Sequence, residues 1–311
     1  MHFKRELFSE RTVSPQPGRP PGWPLPGRSG EVAAAAARPL FLLAIVILLA
    51  AQPAAAQLGL GLSPMRVELA MAPGTQYSGS LSLSSESQGK VRVRAELLDF
   101  FIDESETPQF DRSYPQEAEF SCRPWLSVNP MEAELGAGTQ TLVRYTIRVP
   151  REATERSFHC AAGFTTLPPA EQPRGMGLQT AVRVVAAFYV IIGKPKTEGT
   201  IKEIKLEPVA DPKQPSWRAV VVIENFSLMH MRPAGELAVL DASGKLLESL
   251  KFNSVPILPR RQQRFLFPLT VPVTAGASYT LRARVDLGLA EIQEATVEVT
   301  APAAAPAAPA Q

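Results

Sequence analysis

The chain is expected to be all-β, with two immunoglobulin-like sandwich domains in tandem after a cleaved leader, and three observations carry that reading. Apolar and polar residues alternate in runs of about four to eight, the two-residue period of strands with one buried face. The runs are broken by a share of the chain's 30 prolines and 20 glycines, at spacings too short for helices. A length of 311 residues accommodates about two cores of ordinary size.

The leader comes first. From Arg38 the sequence reads RPLFLLAIVILLAAQPAAAQ: a cation, an apolar run, and the small residues Ala54, Ala55 and Ala56. The run holds about a dozen residues, where a spanning helix needs about 20, and Pro53 closes it. Residues 1–56 therefore read as an N-terminal extension and signal peptide cleaved after Ala56, with no stable membrane anchor. The Pro-, Gly- and Arg-rich stretch before Arg38 fits translation starting near Val32 instead. A periplasmic or secreted location is expected. The leader contains six Lys/Arg and three Asp/Glu, so the remainder carries a net charge of −1 against +2 for the whole chain. That balance, without a basic face or a reading motif, argues against a nucleic-acid partner.

The first domain is expected over residues 58–195. Val67 and Leu69 alternate within SPMRVELAM, Pro73-Gly74 turns the chain, and SGSLSLS alternates again. Val91, Val93, Ala95 and Leu97, interleaved with Arg92, Arg94 and Glu96, show the cleanest two-residue period in the chain. Residues 103–119 are acidic, carry Pro108 and Pro115, and read as a long loop. Strands resume at 125–128, 142–149, 157–166 and 181–192. The last of these is nearly continuously apolar, as in a strand covered on both faces or awaiting a partner. GKPKTEG from Gly193 reads as a linker.

The second domain, 196–300, offers strand candidates at 201–206, 218–224, 235–240, 246–252, 263–269, 278–285 and 292–299, with a hairpin loop at Asp241-Ala242-Ser243-Gly244. Arg260, Arg261 and Arg264 read as a solvated strand edge. APAAAPAAPAQ, residues 301–311, reads as a disordered tail.

Chemistry-bearing motifs are scarce. Only His159 and His230 follow the leader, GxSxG, HExxH and P-loop patterns do not occur, and no enzyme activity is expected. Each histidine reads as a strand or loop residue with a local hydrogen bond. Asp103, Glu104, Glu106 and Asp111 lack EF-hand spacing and read as a solvated loop. Asn225-Phe226-Ser227 fits a glycosylation acceptor, a tripeptide common by chance that carries no weight without knowing the host. Cys122 and Cys160 are either a disulfide formed after export or two buried thiols, and two cysteines without clustered histidines make a poor zinc site. No metal and no cofactor is expected.

Taken together, SPMRVEL, PGTQYSGSLSLSS, LGAGTQTLVRYTIRVP before Glu155-Arg156-Ser157-Phe158, and LQTAVRVVAAFYV resemble, in order and spacing, the N-terminal domain of periplasmic pilus-assembly chaperones and their wider relatives. The likeness covers residues 60–195. ENFSLMHMRPAGELAVLDASGKLLE and PILPRRQQRFLFPL are similar to the second domain of the broader two-domain family, and that domain's length departs from the pilus chaperones proper. The resemblance implies a client, an exported or surface protein subunit, held by β-strand addition, in which backbone edges pair and alternate side chains enter pockets. It places Val182, Val184, Ala186 and Phe188 on one face of the binding strand. It puts Arg66 at the position of a client-carboxylate anchor, with Arg183 the nearest second cation. The competing expectation is a structural or adhesive scaffold of the cell envelope.

Overall fold

The alternating runs become strands in a computed structural model that describes residues 59–87, 89–168, 180–211 and 213–302. The expected leader, and the tail beyond residue 302, lie outside the described residues. No helix among the described residues is long and apolar enough to cross a membrane.

The first sandwich packs two sheets. One has the order β1 (Leu60–Ser63), β3 (Gln76–Ser85), β8 (Gln140–Arg148), β6 (Leu126–Asn129). The other has the order β2 (Arg66–Met71), β10 (Arg183–Ile192), β9 (Arg156–Thr166), β4 (Val91–Ile102), β5 (Pro108–Asp111), with β7 (Glu132–Leu135) also paired to β4. The period-two pattern explains the core: Leu81, Leu83, Val93, Ala95, Val143, Tyr145 and Ile147 turn inward while their polar neighbours face out. SPMRVELAM holds one strand, β2, as expected, and β1, just before it, is a strand the sequence reading did not include. The chain leaves β1 at Ser63 and enters the opposite sheet at Arg66, where β2 runs parallel to β10. The expected acidic loop likewise holds β5 and a 3-10 turn, Pro115–Phe120.

Cys122 and Cys160 are bonded, joining the segment after that turn to β9, with both residues fully buried. The second sandwich packs β11 (Gly199–Pro208), β12 (Trp217–Asn225) and β15 (Gln262–Pro268) against β14 (Leu246–Lys251), β13 (Ala234–Asp241), β16 (Ser278–Asp286) and β17 (Gln293–Thr300). Its core is separate from the first, centred on Val221, Ile223, Leu237, Phe265, Leu281 and Val285. Gly235, at φ +154°, lies so close to β16 that a Cβ would meet the Arg284 carbonyl oxygen at 2.1 Å, so no side chain fits there. Ala301 belongs to this fold, exchanging backbone hydrogen bonds with Gly276 and Ala277.

Candidate functional site

β10 is half-flanked. Along one edge it pairs with β9 over its whole length, from Arg183↔Thr165 to Ile192↔Arg156. Along the other, β2 begins only opposite Ala187, whose N–H donates to the Met65 carbonyl at 2.9 Å. Among the described residues, 183–186 therefore have no strand hydrogen-bonded on that side. Successive backbone groups of a strand point to opposite edges. Val182, next to the strand, exchanges hydrogen bonds with Thr166 on the β9 side, and Ala187 bonds on the β2 side. By that alternation, the N–H and C=O groups of Arg183 and Val185 face the open edge. Met65, 61 % exposed, stands where β2 starts.

The side chains sort differently from the sequence expectation. Ala186 and Phe188 have no exposed surface, and Val184 packs partly buried against the same core. This face points into the sandwich, so Ala186 and Phe188 are corrected from client-facing side chains to core. Val185, Ala187 and Tyr189 lie on the outer face with Leu98, Phe100 and Ala161. The error has a physical source: a strand covered on both faces shows no alternation to say which face is inner.

Arg66 begins β2, opposite Ala187, with its side chain 55 % exposed. Arg183 shares its face of the sheet but lies four residues earlier on β10, about 13 Å along the strand. There it donates to Thr165 at 3.2 Å and pairs with Glu96 at 3.4 Å. The two arginines do not form a pair. The nearer second cation is Arg232 of the second sandwich, which donates to Glu68 at 2.7 Å and lies over the Tyr189 ring at 4.7 Å. Glu68 also lies 3.8 Å from Arg66 and 3.8 Å from His230. His230 and Arg232 hold the Glu68 carboxyl down to about 2, against the opposing effect of burial. The position expected to receive a client's carboxylate is thus already served by one from this chain.

The same junction continues across the sheet. Ser157 N–H donates to the Leu228 carbonyl at 2.8 Å, and His230 N–H to Ser157 Oγ at 2.9 Å. Leu258 packs against Phe100 and Tyr189. At the far rim Arg261 pairs with Glu117, which also lies 3.3 Å from His159, and Arg264 pairs with Glu104 at 3.3 Å. Arg261 and Arg264, expected as a solvated edge, are instead interdomain contacts, while Arg260 is exposed as expected. A cleft of about 390 Å³ lies beside them, lined by Phe101, Gln116, Arg260 and Gln262 among others. The histidines, expected to be locally bonded, both sit at the junction, and neither Nδ1 has a hydrogen-bond partner among the described residues. Sequence reasoning missed Glu68, His230 and Arg232 as a group because 162 residues separate Glu68 from His230 and no local pattern joins them.

No known family model matches the sequence, and no curated protein matches it. Solved structures to which the chain is similar include chaperones, some of them of fimbriae or pili. The Pseudomonas aeruginosa chaperone CupB2 is 12 % identical, with 78 % of this chain and 100 % of that one covered and a TM-score of 0.39. The E. coli chaperone DraB is 14 % identical, covering 78 % and 98 %, with a TM-score of 0.38. A chain of the chaperone–tip subunit complex CsuC–CsuE from Acinetobacter baumannii Csu pili is 10 % identical, covering 78 % and 99 %, with a TM-score of 0.39.

Proposed function

We propose that this protein is a periplasmic, chaperone-like binding module that holds an exported client polypeptide by β-strand addition, in the assembly of pili or another surface structure. The observation that carries the reading is the open edge of β10 at residues 183–186, beside a strand start at Arg66. An incoming strand continues the row that β2 leaves unfilled, taking hydrogen bonds from and to Arg183 and Val185. Val182 and Val184, both partly exposed, border that strand, and Met65 offers it an apolar contact. Arg66 remains exposed enough to meet a client group, although Glu68 already neutralises part of its charge. A client is therefore recognised chiefly through its backbone and its apolar side chains.

Val185→Pro tests the edge. Proline removes the N–H that faces the open side and spares the β9 ladder, to which Val185 does not donate, and edge strands accept proline. The variant should keep its near-ultraviolet circular dichroism and lose at least tenfold in crosslinked capture of a secreted subunit from the native envelope. Capture unchanged in a folded variant would sink strand addition. Recovery of wall polymer or surface complexes in place of one subunit would favour the envelope-scaffold reading.

A further inference from the structure

His230 lies in the loop between β12 and β13 and is 6 % exposed, wedged between the sandwiches. The loop is held from behind by Asn225, whose amide donates to the carbonyls of Met229, Ile257 and Leu258 at 2.7–3.1 Å. In front, Ser157 takes the His230 backbone N–H. The imidazole faces Glu68 from β2, whose carboxylate also pairs with Arg66, Arg232 from its own loop, Tyr189 from β10 with ring centroids 4.7 Å apart, and His159 from β9 beyond. Glu68 is the acceptor for this group, and Arg232 already takes it at 2.7 Å.

A neutral imidazole fits these surroundings. An imidazolium does not, because both its ring nitrogens are donors. Nε2 would reach only a carboxylate 3.8 Å away that two arginines share, and Nδ1 has no acceptor among the described residues. Water supplies both acceptors once the ring is exposed.

We propose that the junction is an acid-opened hinge: protonation of His230 breaks the Glu68–His230–Arg232 clamp, and the second sandwich swings away from β2 about the Glu117–Arg261 rim. The charge logic sets the direction. Burial lowers the His230 pKa against the pull of Glu68, so the closed form binds fewer protons than an open form with a solvated imidazole. Closed-state stability is complete above the ordinary histidine value of about 6.5 and is lost as pH falls below it. Between that value and the lowered one, the open-to-closed ratio rises up to about tenfold per pH unit. The gap forms beside Arg66 and the open edge of β10, so acid widens access to the client-binding edge.

The test is pulsed dipolar spectroscopy on spin labels at Leu142→Cys and Leu246→Cys. These exposed sites lie one on each sandwich, and both cysteines of the chain are already bonded to each other. One distance is expected at pH 8, with a longer, broader population growing between pH 6.5 and 5, and that population absent in His230→Gln. An unchanged distance down to pH 5, or the same opening in His230→Gln, would overturn the hinge. Should His230→Gln lose its folded spectrum, a ring-carbon NMR titration of His230 in the wild type decides: the ring must titrate together with the distance change. A ring still neutral after opening is complete would equally overturn it. The hinge is judged by distances and its failure leaves strand addition standing; capture by Val185→Pro judges the latter alone.

Discussion

At the scale of single residues, the side chain with the heaviest structural duty is Asn225, 1 % exposed at the end of β12. Its amide serves three carbonyls, and its oxygen accepts from the backbone N–H and the hydroxyl of Ser227. Asn225→Ala would strand those groups where water is excluded, and each stranded group costs about 1–3 kcal/mol unless the loop relaxes. A loss of about 2–4 kcal/mol is expected, read as a lower urea midpoint with Trp217 fluorescence as reporter. A loss below about 0.5 kcal/mol, the scale of a surface substitution, would contradict this role. The sequon reading of Asn225-Phe226-Ser227 fails on the same geometry, since the nitrogen that would carry a glycan is enclosed. A tripeptide does not reveal burial; a polar residue closing an apolar strand, VVVIEN, was the available sign. Arg261 and Arg264 were misread for a related reason: their carboxylate partners Glu117 and Glu104 lie 144 and 160 positions away.

At the scale of elements, long strands were legible and short ones were not. β4, β8 and β16, with nine to twelve residues, show several alternations each. β1, β5 and β7 have four apiece, too few to set a period apart from chance. The open edge of β10 was only half legible, because composition marks a buried strand but not where its neighbour starts. The disulfide acts at this scale too. It pins the segment after the 3-10 turn to β9, and that turn supplies Glu117 to the interdomain rim. The bonded residues are 38 positions apart, a loop whose closure is worth about 4 kcal/mol in the chain-entropy account. Replacing both cysteines by alanine should destabilise the first sandwich by about 2–4 kcal/mol. It should also speed amide exchange in Pro115–Phe120 more than in β3 or β8. Equal acceleration everywhere would show that the bond stabilises the sandwich globally and does not hold the rim.

At the scale of the whole molecule, two separate cores are coupled through a third cluster, where Leu258 meets Phe100 and Tyr189, rimmed by ion pairs. Such a junction makes overall stability a function of pH with a calculable sign. Glu68 is held at about 2 against an ordinary 4.5, so the closed form binds this proton less readily than the unfolded chain. While the junction stays closed, its contribution is present above pH 4.5 and is lost as pH falls toward 2. Burial raises the Glu106 carboxyl, which works the other way: protonation relieves its desolvation and offsets part of the loss. His230 acts earlier, below about 6.5, so the melting temperature should be flat near pH 7 to 8 and then decline in two stages. Glu68 is about one-third exposed, and solvent screening trims its share. Glu68→Gln separates the stages. The amide cannot ionise, so the variant should melt lower than wild type at pH 7, where it lacks the clamp; the gap should narrow below about 6.5 as the wild-type clamp opens and finish closing as pH falls from 4.5 to 2. Calorimetry of both proteins across that range reads the difference directly. A gap that stays constant would mean that Glu68 contributes through packing, and that its ion pairs with Arg232 and Arg66 do not hold the junction.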